Sequence, residues 1–308
     1  MMKKSSIKKI IIACCTYKRP QKLERLLKSL TELTYPRNII VEILIVDNDK
    51  EKSAENIFKK YTDKLQIRYV VEENKGLSNV RNKALTTAIK FGASHLAFID
   101  DDEIADTNWL VNHIEFYNKF EDVYISSGPT YKKFEGEYPD YIVNNRIFHI
   151  YTKKVLGAAK KTCASGNVFF PLNIIQENNI YFSEDFNELG GEDTDFFLRL
   201  NKAGFKIGWN LNAVNHEIVD HERANLKWIL KRAYHNGYSV ALAKFLQNKN
   251  PLKRLLYVLE KIITLLFNII GLPFSICRGL TCFVNYLTII YKNFGKLTGA
   301  INKFYGEQ

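Results

Sequence analysis

Within the first hundred residues, four short apolar runs alternate with segments of helical period, and polar or acidic residues cut off each run. Lys9–Cys15, Val41–Val46, Ile67–Val71 and His95–Ile99 read as strands. Between them Pro20–Leu33 (apolar at 23, 26, 27 and 30), Ser53–Tyr61 and Gly76–Phe91 read as helices. This alternation predicts a mostly parallel sheet with right-handed crossovers. Parallel strands end on one edge, so the residues that follow them share it: Thr16-Tyr17, Asp47-Asn48-Asp49, Glu72-Glu73-Asn74 and Asp100-Asp101-Asp102. In open α/β sheets that edge is where ligands bind.

The aspartate triplet is the sharpest of these ends. Like charges crowded after a buried strand repel unless a cation or a set of donors compensates. Hard oxygen ligands suit Mg2+ or Mn2+, which enter sites together with substrate phosphates. Taken alone, the triplet is equally a solvated turn or a helix cap.

Farther along, Val123–Ser127 and Asn167–Pro171 are strand-like pieces in a less regular stretch. Glu188–Asp195 opens an amphipathic helix over Phe196–Ala203, and strand-like Lys206–Trp209 follows. With 46% hydrophobic residues among 308, a sizeable core can form. The five cysteines show neither a C-x-x-C pair nor histidines at zinc spacing, which predicts reduced thiols in a cytoplasm-facing protein. The N-terminal apolar run is six residues long and leads straight into Thr16-Tyr17-Lys18-Arg19, so it reads as the first buried strand rather than a signal peptide.

Charge is unevenly placed. Of the net +11, residues 226–308 carry +10, with Glu260 and Glu307 their only acids. This quarter is also the most apolar, and basic residues flanking apolar stretches favour an anionic membrane surface over nucleic acid. Residues 226–248 look helical. Ile262–Cys277 and Gly279–Ile290 are apolar but interrupted by Gly271, Pro273, Arg278 and Gly279, and each falls short of the ~20 residues that span a bilayer. A hairpin dipping into one leaflet, or helices lying on it, is expected; ordinary core packing is the competing reading.

Five ordered signals then stand together: Cys15-Thr16-Tyr17-Lys18-Arg19-Pro20, Ile45-Val46-Asp47-Asn48, Asn74-Lys75-Gly76-Leu77-Ser78-Asn79-Val80-Arg81-Asn82, Phe98-Ile99-Asp100-Asp101-Asp102-Glu103, and Gly190-Gly191-Glu192-Asp193-Thr194-Asp195. Over roughly residues 9–240 the chain resembles the family 2 (GT-A type) glycosyltransferases, inverting enzymes that use nucleotide-sugars. The resemblance implies a GT-A (Rossmann-like) α/β domain over 1–225 and a basic, membrane-associating helical segment over 226–308. It implies Mn2+ or Mg2+ held by Asp102, with Asp100 nearer the ribose or a metal-bound water and His216 completing the set. Thr16, Tyr17, Arg19 and Asp47 would frame the nucleotide, with Asn74, Gly76, Arg81 and the middle Asp101 beside the nucleotide-sugar. Arg223 would reach the diphosphate. Asp193 matches the general base, and Glu192 would support it.

Each assignment has a plainer competitor. Asp47 could be a turn residue, Glu192 and Asp193 could cap a helix, His216 could be structural, and Arg223 could anchor the following helix. The Q-x-x-R-W signature of processive synthases is absent, which points to single sugar additions. The expected partners are a nucleotide-sugar, a UDP-sugar first, and a glycan or lipid-linked acceptor at the cytoplasmic face of the membrane, with no nucleic acid. A nucleotidyltransferase would want glycine in Thr16–Pro20, where none stands. A scaffold without turnover has no need of Asp47, Asp100, Asp102 and Asp193 together.

Overall fold

The computed structural model describes residues 4–149, 155–187, 190–247 and 250–305. It opens with β1 (Lys9–Thr16), α1 (Pro20–Thr31), β2 (Ile40–Asp47), α2 (Glu55–Lys59), β3 (Ile67–Val71), α3 (Leu77–Lys90) and β4 (His95–Ile99). Then come β5 (Glu103–Ala105), α4 (Trp109–Lys119), β6 (Val123–Ser127), β7 (Thr130–Phe134), α5 (Asp140–Val143), β8 (Ala159–Lys160), β9 (Asn167–Pro171) and α6 (Asn173–Asn178). The chain closes with α7 (Glu192–Lys202), β10 (Lys206–Trp209), β11 (Asn215–Val219), α8 (Leu226–Gln247), α9 (Pro251–Ile276) and α10 (Leu280–Tyr305).

Two compact units divide these elements. The first comprises Met1–Tyr131, Thr152–Glu188 and Phe196–Glu217, and the second Lys132–Tyr151, Leu189–Asp195 and Ile218–Gln308. A boundary at 225/226 does not describe this division. The helices of the second unit gather earlier segments to themselves: Arg146 N donates to Asn285 Oδ1 of α10 (2.7 Å), and Gly191 abuts Ser239 of α8.

In the first unit an eight-stranded sheet has the order β3-β2-β1-β4-β9-β6-β10-β8. Strand β1 is covered on both faces. Ile11 and Ala13 pack with Val80, Ala84 and Leu85 of α3, while Ile10, Ile12 and Cys14 pack with Leu23, Leu26 and Leu30 of α1. Burial on both sides is why β1 reads as an unbroken apolar run instead of an alternation. Helix α1 starts at Pro20, whose missing N–H is no loss at the first position.

The sheet is mostly parallel, with β9 and the short β8 reversed. β1 pairs in parallel with β2 and β4, and β2 with β3, but β9 runs antiparallel to β4 and β6. A parallel strand needs a long crossover to return the chain to the starting edge. Among the described residues, the connection from β6 to β9 carries β7, the four-residue α5 and β8 rather than one long crossover helix. Because β2 lies on one side of β1 and β4 on the other, the strand order reverses between β1 and β4. That makes their carboxyl ends a topological switch point.

In the second unit the apolar stretch is more continuous than its composition suggests. α9 runs unbroken for 26 residues, through Gly271 and Pro273, before the turn at Gly279 (φ 97°). Pro273 sits in the last turn, where the hydrogen bond it removes does not split the helix.

Candidate active site

Sheet register builds the centre of the site. Ala13 pairs with Phe98, so three residues on, Thr16 stands beside Asp101, and Thr16 Oγ1 donates to Asp101 Oδ2 at 2.8 Å. Arg19, at the N-cap of α1, donates from Nη1 to Asp101 Oδ1 (3.3 Å) and lies 3.7 Å from Asp102 Oδ2. Lys22, in the first turn of α1, brings Nζ to 3.7 Å from the same Asp102 oxygen. From α3, Arg81 Nη2 stands 3.6 Å from Asp100 Oδ1. Each aspartate of the turn therefore faces a cation, which offsets the repulsion within the triplet. Burial pushes the Asp101 carboxyl up to about 6, Asp102 and Asp100 add to the rise, and Arg19 and Thr16 oppose it.

A buried polar network supports the turn from behind. Glu103 Oε2 accepts from Asn215 Nδ2 (2.7 Å) and from the backbone N–H of Asp100 (3.2 Å). Asn167 Nδ2 donates to Asn215 Oδ1 (3.1 Å), and Trp109 Nε1 donates to Asn167 Oδ1 (2.9 Å). His113 bridges Asn167 Oδ1 (2.9 Å) and Ser126 Oγ (2.8 Å). Gly166 is dictated by space: a Cβ there would lie 2.6 Å from Asp100 Oδ2 and 2.8 Å from Glu103 Oε1.

The loops after β2 and β3 form the next part of the edge. Asp47 is completely buried, and its carboxylate accepts from Tyr69 OH (2.7 Å), Ala54 N (2.9 Å) and Asp49 N (3.0 Å). These bonds hold the loop that follows β2 and fix the carboxylate at the strand end. Asn48 ties two loops together. Its Nδ2 donates to the carbonyls of Glu72 and Asn74 (both 2.8 Å), and its Oδ1 accepts from Gly76 N (3.0 Å). Gly76 has φ 142° and would press a Cβ to 2.2 Å from Asn187 Oδ1, the oxygen that accepts from Ser78 N (3.0 Å) and Asn79 N (3.2 Å) at the start of α3. The close approach that demands glycine is therefore to Asn187. Tyr17 is exposed, with Lys18 and Lys75 ammonium groups 5.6 and 5.7 Å from its ring centroid.

His216 is placed by strand pairing. The antiparallel pairing of β11 with β5 sets His216 opposite Ile104, and its Nε2 lies 3.1 Å from Asp106 Oδ1. Among the described residues no three His, Cys, Asp or Glu side chains converge on one point, so a place for His216 as a third ligand beside Asp100 and Asp102 rests on the resemblance alone. The pair of aspartates nonetheless fits a hard cation. Two carboxylates on one turn, with Gly166 opened back to its backbone beside Asp100, match the way Mg2+-type ions take one or two carboxylates and complete their shell from substrate phosphate.

Glu192, Asp193 and Arg223 belong to the second unit. Glu192 is buried and Asp193 half-buried in the first turn of α7, where Asp193 Oδ1 accepts from Thr194 N at 2.6 Å. Gly191 (φ 97°) would place a Cβ 2.4 Å from Ser239 Cβ, so helix packing explains that glycine. The Arg223 guanidinium lies 6.0 Å from the Trp228 ring, consistent with anchoring α8.

Lys22, Glu103, Asn167, Asn187 and Asn215 were given no role by the sequence. Lys22 carried a usable signal, falling one helical turn after Arg19. The asparagines carried none, since their partners lie 48 to 112 residues away.

This sheet, with an acidic turn under cations at its switch point, defines a GT-A glycosyltransferase. The chain belongs to glycosyl transferase family 2, whose model matches residues 11–178. It is 28% identical over 230 residues to the succinoglycan biosynthesis protein ExoM of Rhizobium meliloti (strain 1021), covering 74% of this chain and 72% of that one. Its fold is similar to that of the mannosyltransferase PcManGT from Pyrobaculum calidifontis in complex with GDP-Man and Mn2+ (TM-score 0.66, 15% identity, 99% of this chain and 89% of that one). It is also similar to S. aureus TarS 1-349 in complex with UDP-GlcNAc (TM-score 0.56, 15% identity, 97% and 92%); of a longer TarS structure it spans 44%.

Proposed function

We propose that this family 2 enzyme moves one sugar from a UDP-sugar to a hydroxyl of a glycan or lipid-linked acceptor. Transfer proceeds with inversion and metal assistance, at the cytoplasmic face of a membrane, during cell-surface polysaccharide or lipid-linked oligosaccharide assembly. The observation that carries the reading is the Asp100–Asp102 turn at the β1/β4 switch point, faced by Arg19, Lys22 and Arg81. Support for the donor and the metal comes from the nucleotide-sugars and Mn2+ bound by proteins of similar fold. Support for the pathway comes from the likeness to ExoM.

In this reading Asp102 and Asp100 hold Mn2+ or Mg2+, which when bound supplies Lewis-acid stabilisation of the charge growing on the departing diphosphate. Arg19 and Arg81 add fixed positive charge at the same edge. Thr16, Tyr17, Asp47 and Asn74 line the nucleotide pocket, Asp101 locks β1 to the acidic turn, and Gly76 lets the chain pass close to the nucleotide-sugar. Asp193 takes the proton from the acceptor hydroxyl as its oxygen attacks the anomeric carbon. The bond from that carbon to the phosphate oxygen breaks, and its electron pair leaves with the nucleoside diphosphate. Glu192 steadies the start of α7, and Arg223 meets the released diphosphate.

The test is turnover of a nucleotide-sugar panel with Mn2+ or Mg2+ and a membrane lipid extract as acceptor source. One donor should release nucleoside diphosphate, and Asp193→Asn should slow transfer ~100-fold or more while donor binding persists. Wild-type rates in that variant remove Asp193 as the base. No turnover of any donor rejects the transferase reading.

A further inference from the structure

Helix α9 turns a strip of large apolar side chains outward. Its outward face is made of Leu259, Ile263, Leu266, Phe267, Ile270 and Phe274, between 46% and 73% exposed. The face turned to the rest of the second unit mixes polar Arg254, Thr264, Asn268 and Ser275 with Tyr257, Val258, Leu265, Gly271 and Leu272, all buried or half-buried. Their polar groups are satisfied locally: Arg254 Nη2 donates to the Phe245 carbonyl (2.9 Å), Thr264 Oγ1 to Glu260 O (2.7 Å) and Asn268 Nδ2 to Thr264 O (2.7 Å). A helix in water turns its apolar face inward. The exposed apolar strip here is on the order of 1,000 Å², above the few hundred Å² that soluble monomers leave open.

The packing behind α9 decides how it can meet a bilayer. Near its start, Tyr257 and Val258 pack with Phe245 of α8 and Ala300 of α10; near its end, Gly271 lies against the Tyr286 ring of α10. α10 is in turn backed along its length. Asn145 Nδ2 donates to Thr288 Oγ1 (3.0 Å), Arg146 N donates to Asn285 Oδ1 (2.7 Å), and Gly237 and Gly295 bring the α8 and α10 backbones into contact. A crossing α9 would drag Asn145, Arg146 and the rest of this polar backing into hydrocarbon, which leaves no water for their backbone and charged groups.

We infer that α9 is an in-plane membrane anchor, lying along a single leaflet with its outer face in the acyl boundary. Exposed Lys253 and Arg278 bracket the apolar strip, about 37 Å apart along a helix, and in a helix parallel to the surface both reach the headgroups of the same leaflet, the arrangement that keeps the polar backing of α10 out of hydrocarbon. With +10 over residues 226–308, the matching occupant is an anionic leaflet rather than a second copy of the same basic segment. The inference deepens the membrane placement proposed above.

Vesicle flotation and depth measurement test the two separately, using the full chain with Cys277 and Cys282 replaced by Ser. Binding to vesicles with 30% phosphatidylglycerol should exceed binding to pure phosphatidylcholine by ~10-fold or more, and Phe267→Glu, which alters an exposed position, should abolish it without changing the circular dichroism. A fluorophore placed in turn at 256, 263, 267 and 274 should be quenched equally by shallow spin-labelled lipid, with 264 and 268 unquenched. Flotation with deepest quenching at 263–267 and shallow quenching at both ends means a crossing helix and overturns the in-plane inference alone. No flotation, equal binding to neutral vesicles, or a lipid-independent dimer broken by Phe267→Glu overturns the anionic-leaflet anchor itself.

Discussion

Each carboxylate of the Asp100–Asp102 turn has its own cation or hydroxyl, and this division of labour is the main residue-scale result. The resemblance gave the middle aspartate the least defined place. The structure makes it the most enclosed of the three, joined to Thr16 and Arg19, because the β1/β4 register aims it inward. Asp47, legible as a polar strand end, also builds the loop that follows β2, accepting from Tyr69, Ala54 and Asp49. Sequence position tells which edge a residue reaches but not which way its side chain turns there. Two buried histidines near the same core carry a prediction of their own. Burial holds His95 down to about 3 and His113 to about 4, below the unfolded value of about 6.5. The unfolded chain therefore binds more protons below pH ~6.5, so the stability these neutral rings lend is complete above that pH and is lost as pH falls toward 4. His95→Phe keeps the stack on Phe169 (ring centroids 5.2 Å apart) and should flatten the fall of Tm between pH 6.5 and 4. An unchanged slope would show that His95 does not bear on acid stability.

At the scale of elements, the first ninety-nine residues were readable because local period, strand ends and burial all agree there. The strands and helices of that stretch stand where their apolar spacing put them. The direction of β9 was not readable, since antiparallel pairing with β4 is a long-range property with no local mark. Nor was the length of α9, where Gly271 and Pro273 looked like breaks but lie in a helix already committed by its neighbours. The junction of β3 and α3 shows what local punctuation can hide. Gly76 reads as a flexible entry to a helix, yet its space is filled by Asn187 from more than a hundred residues on. Gly76→Ala combines that clash with a positive φ and should cost about 2 kcal/mol or more. It should lower Tm and, because α3 carries Arg81, raise KM for the donor. Leu77→Ala, at an exposed neighbour, is the control and should change neither. Equal behaviour of the two variants would mean the loop relaxes freely and Asn187 does not set the helix start.

For the whole molecule, fold and chemistry separate cleanly between what one chain announces and what only packing reveals. The GT-A sheet with its acidic edge was legible because parallel strands force their ends together. The partition into units was not, because residues 132–151 and 189–195 join the C-terminal helices through contacts such as Arg146–Asn285 and Gly191–Ser239. The charge asymmetry was visible at once, but its meaning depended on seeing that α9 leaves a strip of large apolar side chains exposed. The central claim is that the acidic turn at the β1/β4 switch point is the metal-dependent seat of the donor diphosphate. Calorimetric titration of UDP into the full chain, with Mn2+ or with EDTA, tests it most directly, comparing wild type with Asp102→Asn. The account predicts binding that weakens ~10-fold or more on removing Mn2+, and an Asp102→Asn variant, folded by circular dichroism, whose residual binding no longer responds to Mn2+. Tight UDP binding that ignores both the metal and the substitution would place the diphosphate elsewhere and contradict it.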